Sequence, residues 1–370
     1  MNFDLSEEQK MLAEQATNLL AETSAPDRLR QLIETGAEWD EPLWKSLQDM
    51  GFCAAAIAEE HGGLGLGDIE LGLINLELGR ANACVPFFSS IVLATSAIQL
   101  AGSEEQKSRL LPSVASGSTI ATFAYAEGPA GWSPNAIHST FENGKLTGTK
   151  TPVADAGIAS LAIVLVKYQG ALRLAAVRLD QLAVTREKLN SFDQLRAHYA
   201  LTFTEAGAEL LDGPEAATVL AQLFDKAAIQ AAFEAVGGAE ACLKMARDYA
   251  MERQIFGRPL AGYQAIKHKL ADIVTAIELA KSNAYYAGWA ATNTPEDLAT
   301  TAACARLSAT TAFESAAREN LQIHGGIGYT FEANCHFYYR RERSLALSLG
   351  GREFWASRLI THLHPTNKAA

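Results

Sequence analysis

Arg253 and Phe256 stand three residues apart in Met251-Glu-Arg-Gln-Ile-Phe-Gly-Arg-Pro259 and offer a cation and an aromatic surface at one place. A dinucleotide cofactor asks for that combination, with cations or helix N-termini against its pyrophosphate and apolar surface around its ring. A lone arginine of this kind would read as a solvated helix charge. About 50 residues after this segment closes at Asp272, Leu321-Gln-Ile-His-Gly-Gly-Ile-Gly-Tyr329 follows, and its glycines would let backbone approach a ligand closely. Gly325-Gly326 alone would mark no more than a helix end. Glu234, in Ala231-Ala-Phe-Glu-Ala-Val-Gly-Gly238, is a charge inside an apolar helical stretch. It is either a proton-transfer group or a buried carboxylate paired with an arginine. His61, His138, His198, His268 and His324 are scattered. His362 and His364 form H-x-H without an acidic or cysteine cluster to complete a metal site, so no metal is expected. No G-x-S-x-G elbow supports a serine nucleophile.

These residues need elements to position them. Residues 1–115 read as helical, with Ser6-Glu7-Glu8-Gln9 and Ser103-Glu104-Glu105-Gln106 as capping boxes. His61-Gly-Gly-Leu-Gly-Leu-Gly67 has no preceding strand and no following Lys-Ser/Thr, so a helix–helix turn is expected rather than a phosphate loop. Over residues 118–205 the period changes. Thr119–Ala124, Leu161–Val166, Leu172–Val177 and Leu201–Thr204 are short apolar runs, and Asn143-Gly144 and Gln169-Gly170 are hairpin turns. From residue 215 helical spacing returns. Ile266, Leu270, Ile273 and Ile277 form one stripe, and Thr300–Ala317 is rich in small residues suited to close helix approach. The expected domains are residues 1–116 (all-α), 117–212 (an antiparallel β-barrel or sandwich) and 213–370 (a C-terminal four-helix bundle), an α+β multidomain protein.

Composition narrows the function classes. Apolar residues make up 48% and charged residues 20%, ordinary for a water-soluble chain, and no run is long enough to span a membrane. A net charge of −11 disfavours nucleic acid. The acidic start, Met1-Asn-Phe-Asp-Leu-Ser-Glu-Glu-Gln, fits neither a signal nor a transit peptide. Five widely spaced cysteines suggest buried thiols in a reducing, cytoplasmic setting.

The two segments together resemble the flavin-handling segments of the acyl-CoA dehydrogenase family, and the resemblance runs over nearly the whole chain. It implies FAD as cofactor, with Arg253 at the pyrophosphate of an FAD seated mainly on a neighbouring subunit, Phe256 packed beside it, and Gln322, Gly325 and Gly326 in the second segment. It also implies an acyl-CoA substrate, an electron-transfer flavoprotein-like acceptor and a homo- or heterotetramer. Departures from the family pattern are equally specific. Where the family has T-E-P-G-A-G-S-D over the flavin, this chain reads Ala126-Glu-Gly-Pro-Ala-Gly-Trp-Ser133, and its W-I-T is Pro152-Val-Ala154. A divergent branch has V-x-D-A there, matched by Val153-Ala-Asp-Ala156. With side-chain hydroxyls gone, the backbone N–H groups of Tyr125 or Ala154 are the candidate donors to the flavin ring.

The resemblance further implies a catalytic carboxylate that removes the Cα proton while hydride leaves Cβ. The usual glutamate position falls on Gly350, the aspartate position of the divergent branch on Gly351, and the alternative position in the helix before Arg253 on Ala227. Glu234, two turns beyond Ala227, is the internal candidate, and Glu353 reads as helix-capping. Three readings stand open: the base-less subunit of a heterotetramer, a self-sufficient homotetramer with a relocated base, and a scaffold subunit without flavin.

Overall fold

In the computed structural model, which describes residues 5–129 and 134–363, helices precede and follow a set of strands. The N-terminal helices are α1 (Glu7–Thr23), α2 (Pro26–Thr35), α3 (Glu41–Asp49), α4 (Asp68–Arg80), α5 (Thr95–Ala101) and α6 (Glu104–Ala115). Both capping boxes form. Ser6 Oγ accepts the Gln9 N–H at 3.1 Å while Gln9 Oε1 accepts that of Ser6 at 2.9 Å, and Ser103 and Gln106 do the same for α6.

The strands are β1 (Ala121–Ala124), β2 (Thr140–Glu142), β3 (Lys145–Ala154), β4 (Leu161–Tyr168), β5 (Ala171–Arg178), β6 (Val184–Leu189) and β7 (His198–Leu210). β4, β5, β7, β3 and β2 pair in a ring that the single Thr140–Lys167 pair closes, with β1 added to β4 and β6 to β7. The two expected hairpin turns are present. Asn143-Gly144 (φ +50°, +77°) joins β2 to β3, and Gln169-Gly170 (φ +51°, +85°) joins β4 to β5. The expectation of a wholly antiparallel domain needs correction, because β1 runs parallel to β4, Ala121 opposite Leu161 through Ala124 opposite Val164. Both strands are buried on both faces along this pairing, so neither shows the alternation that marks a half-exposed antiparallel strand.

Five helices follow: α7 (Ala216–Glu252), α8 (Gln264–Asn293), α9 (Leu298–His324), α10 (Cys335–Leu347) and α11 (Arg352–Leu363). The sequence predicts a four-helix bundle over residues 213–370. The last segment divides into α10 and α11 because Leu349 (φ +59°) and Gly350 (φ +96°) leave helical geometry between them. A two-residue hairpin, β8 (Gln254–Ile255) with β9 (Arg258–Pro259), intervenes between α7 and α8.

Compactness groups these elements differently from their order. One unit comprises Met1–Arg30, Gly67–Ala83 and Ala228–Ala370; the other comprises Gln31–Leu66 and Cys84–Ala227. Within the first, α4 and α7 cross backbone to backbone at glycines. A Cβ on Gly237 would lie 1.8 Å from the Leu76 carbonyl oxygen, and one on Gly79 2.0 Å from that of Glu234. The small residues of α9 fill the helix core, with Ala302, Ala305, Ala309, Ala312 and Ala316 buried. No helix among the described residues is long and apolar enough to cross a membrane, and the five cysteines are free thiols.

Candidate functional site

The first segment begins where α7 ends. Arg253 N–H donates to the Tyr249 carbonyl at 2.8 Å, the Arg253 carbonyl accepts from Leu260 N–H at 2.7 Å, and the chain turns back through β8 and β9. The turn itself is Phe256-Gly257, with φ of +49° and +76°. Left-handed backbone is an outlier for a bulky residue and calls for a reason. The two-residue hairpin supplies it, as at Asn143-Gly144 and Gln169-Gly170, and what is left unexplained is only that the ring at this turn is 95% exposed. The hairpin is braced from below, where Tyr263 donates its hydroxyl to the Ile255 carbonyl at 2.9 Å and the Arg258 guanidinium lies 3.8 Å over the Tyr263 ring. Arg253 is exposed and makes no ion pair among the described residues.

The structure brings the second segment to the same end of the unit. Ile323 of α9 packs with Ala246 and Ala250 of α7 in a small core, against which Tyr249, Leu260, Ile266 and Leu270 lie half-buried. Gln322 is exposed in the last turn of α9. His324 stacks on Tyr249 with ring centroids 4.2 Å apart, and burial holds its imidazole below its ordinary pKa. Gly325 then takes φ +66°, ψ −142°, a conformation open to glycine alone. No neighbouring heavy atom lies within 4 Å of where a Cβ would sit on Gly325 or Gly326, leaving backbone bare to an approaching group. An unpaired cation, an exposed aromatic and a bare glycine backbone at one end fit the donor and surface needs of a dinucleotide.

Tyr125 and Ala154 lie in the strand-containing unit. The Tyr125 ring stacks on Phe123 at 5.6 Å and meets Phe224 edge-on at 5.2 Å. Ala154 ends β3, and its carbonyl accepts the Thr122 hydroxyl at 2.7 Å. Ala126 and Thr151 are bonded through Thr151 N–H at 2.9 Å, and Gly128 N–H returns a bond to the Thr151 carbonyl at 2.9 Å. The Asp155 of the V-x-D-A stretch turns the chain at φ +55° and accepts the Ser89 hydroxyl at 2.5 Å. Ala130, Gly131, Trp132 and Ser133, and His364, lie outside the described residues.

The positions at which the resemblance implies a carboxylate, and the internal candidate Glu234, differ in their surroundings. Ala227 is buried, with no titratable group. Glu234 is buried and meets Arg341 Nη1 at 3.1 Å, and Arg341 also donates to the Ala83 carbonyl at 3.3 Å, so the arginine alternative describes what surrounds it. At Gly350 a Cβ would sit 2.7 Å from the Phe354 ring in a left-handed backbone, whereas at Gly351 it would meet nothing within 4 Å. The break is held by Arg306, itself buried, which donates to the Leu345 and Ser348 carbonyls.

One carboxyl escaped the sequence reading. Glu342 is 1% exposed, pairs with Arg343, and burial pushes its pKa up to about 7. It sits in Arg340-Arg-Glu-Arg343, a charge run that reads as a solvated face, yet Arg341 and Glu342 both point inward. The Phe256-Gly257 hairpin was missed as well; its signal, an X-Gly pair, is that of the two hairpins that were found. Among the described residues, one group has metal-ligating atoms close together, Glu60, His61 and Glu104. The Lys107 ammonium already occupies the Glu104 carboxylate at 2.8 Å, which makes this an ion-pair cluster.

Compared with known proteins, the chain matches the acyl-CoA dehydrogenase N-terminal domain over residues 6–118 and the acyl-CoA dehydrogenase C-terminal domain over residues 217–362. It is 31% identical over 341 residues to acyl-CoA dehydrogenase IpdE2 of Mycobacterium tuberculosis, covering 92% of each chain. It is 26% identical to the mitochondrial short-chain specific acyl-CoA dehydrogenase of Sus scrofa, covering 93% of this chain and 89% of that one. Among solved structures, a variant of the Tcur3481-Tcur3483 steroid ACAD has a TM-score of 0.88 at 29% identity, covering 98% and 99%. Butyryl-CoA dehydrogenase from Megasphaera elsdenii has a TM-score of 0.91 at 24% identity, covering 98% and 100%, and so shares the fold.

Proposed function

Since the chain belongs to the acyl-CoA dehydrogenase family, a family of flavoprotein oxidoreductases, we propose that it takes part in α,β-dehydrogenation of an acyl-CoA thioester as the base-less, FAD-binding subunit of a heterotetramer. The cofactor reading is carried by the exposed Phe256 on a left-handed turn beside the unpaired Arg253. In this reading Arg253, Phe256, Gln322, Gly325 and Gly326 face an FAD seated on a neighbouring chain, and the Tyr125 and Ala154 backbone faces a flavin ring. FAD, when bound, supplies the acceptor for hydride leaving the substrate Cβ. The likeness to a Tcur3481-Tcur3483 steroid ACAD supports an assembly of two kinds of chain.

The base-less assignment follows from the residues at the three family positions. Ala227, Gly350 and Gly351 bear no carboxylate, and Glu234 lies against Arg341. The offset of Glu234 from Ala227 is two helical turns, about 10–11 Å along the axis. A positioned base is worth roughly 10²–10⁴ in rate. The purified chain, loaded with FAD, should therefore show little dehydrogenation of acyl-CoA thioesters with an artificial electron acceptor, and an electron-transfer flavoprotein-like protein should accept electrons from the completed assembly. Robust turnover by the homomer, lost in Glu234→Gln with FAD retained, would instead establish the relocated base. A colourless protein that takes up no FAD would leave the scaffold reading.

A further inference from the structure

Lys150 is fully buried, at 0% exposure, and it has one carboxylate partner, Glu127 Oε1 at 2.6 Å. Burial of this lysine lowers its pKa to about 8, so the site tolerates the ammonium only because Glu127 faces it. Glu127 is held in turn. It accepts the backbone N–H groups of His138 at 2.7 Å and Ser139 at 2.9 Å, and its own pKa is lowered by Lys150 and these donors against the pull of burial. The ion pair thus fastens three stretches of chain: the one that leaves β1, the one that enters β2, and β3 itself. Lys150 Nζ also reaches the Tyr125 carbonyl at 3.5 Å, and the backbone on either side of the pair is stitched by Thr151 N–H to Ala126 and by Gly128 N–H to Thr151. From Lys150 the strand runs four residues to Ala154, which the Thr122 hydroxyl of β1 fixes from the other end.

A buried ion pair is a poor source of stability, because desolvation of both charges offsets most of their attraction. Its geometric effect is better defined, since three donors on one carboxylate leave it a single position. We propose that Glu127 and Lys150 are positioning residues for the flavin, setting the Tyr125 and Ala154 backbone in the register in which it meets the ring. The inference rests on the FAD reading above and deepens it. Side-chain hydroxyls are absent at Ala126 and Ala154, so this chain depends on where its backbone groups stand, and the ion pair joins the two stretches that carry them.

The test uses the purified full chain loaded with FAD, compared with Lys150→Met and Glu127→Gln. Three properties are read: the FAD dissociation constant, the shape and position of the flavin absorption bands, and the flavin midpoint potential. Circular dichroism checks the fold. FAD affinity is expected to fall about tenfold in Lys150→Met, the loss of one charge-assisted contact's worth of ordering, with a displaced absorption band and a shifted potential. Glu127→Gln, whose single amide oxygen can replace only one of the two oxygens that accept from His138 and Ser139, should show changes of the same kind. If Lys150→Met does not fold, Glu127→Gln alone carries the comparison. Folded variants whose affinity, absorption bands and potential equal those of the parent would overturn the positioning role while the FAD reading stands. A parent chain that takes up no FAD would overturn both.

Discussion

Arg253 carries its prediction through what surrounds it. It is exposed, has no carboxylate partner among the described residues, and stands at the base of a braced hairpin. Little in the chain itself depends on its charge, so Arg253→Ala should leave the melting temperature close to that of the parent. FAD affinity should fall by roughly 1.5–3 kcal/mol as a charge-assisted bond to phosphate is lost. Flavin absorbance titration checks this, and unchanged FAD content would remove the assignment. Glu342 makes a contrasting case. Its folded pKa of about 7 lies above the ordinary glutamate value, so the native state holds a proton that the unfolded chain has released. Stability from this group is therefore full at acid pH and is lost as pH rises toward about 7. Glu342→Gln should raise stability at neutral pH by up to about 3 kcal/mol. It should also flatten the difference in melting temperature between pH 5 and pH 7. Arg343 keeps Glu314 at 2.8 Å as a partner in that variant. A parent-minus-variant difference that does not change with pH would refute the assignment.

At the scale of elements, the break between α10 and α11 separates two neighbouring glycines. Gly350 has a left-handed backbone and Phe354 close by; Gly351 has neither constraint. Gly350→Ala should cost about 1–3 kcal/mol through strain and crowding. Gly351→Ala should fall within about 0.5 kcal/mol of the parent. Denaturant midpoints measure both, and equal losses would contradict the geometry. Of the two positions at which the resemblance implies a base here, Gly351 has room for a side chain. Much of this level was legible in the sequence. The S-x-x-Q boxes, the Asn-Gly and Gln-Gly turns and the helical stripe of Ile266, Leu270, Ile273 and Ile277 each carry a local rule. What was not legible depends on pairing at a distance. Strand direction for β1 is set by a partner some forty residues on, β3 and β6 alternate with charged or polar residues that weaken an apolar signal, and the charge run at Arg340–Arg343 conceals two inward-facing side chains. Residue identity showed Ala227, Gly350 and Gly351 where the resemblance implies a carboxylate; only the fold told that Glu234 meets Arg341 and that Gly350 cannot readily carry a side chain.

For the whole molecule, the FAD reading places cofactor contacts on more than one chain, which sets an assembly prediction. The helices of the first unit expose Leu279, Tyr286, Leu347, Ile360 and Leu363, apolar area that self-association would bury. Light scattering of the flavin-loaded protein at micromolar concentration should give a mass above the 39.7 kDa of one chain, a tetramer in our reading. A stable flavin-loaded monomer would contradict it.

The division of the chain into compact units also has a consequence during synthesis. The second unit is complete when Ala227 has been made, but α1 and α4 belong to the first, whose larger part begins at Ala228. On a ribosome adding about 5–20 residues each second, α4 waits roughly 8–30 seconds for the glycine face of α7. Until then, the Leu76 carbonyl and the glycine backbone of α4 at Gly72 and Gly79 lack their partner helix. The nascent chain is therefore most open to proteases and to association with other chains at its early helices, and it is translation of the C-terminal half that ends that exposure.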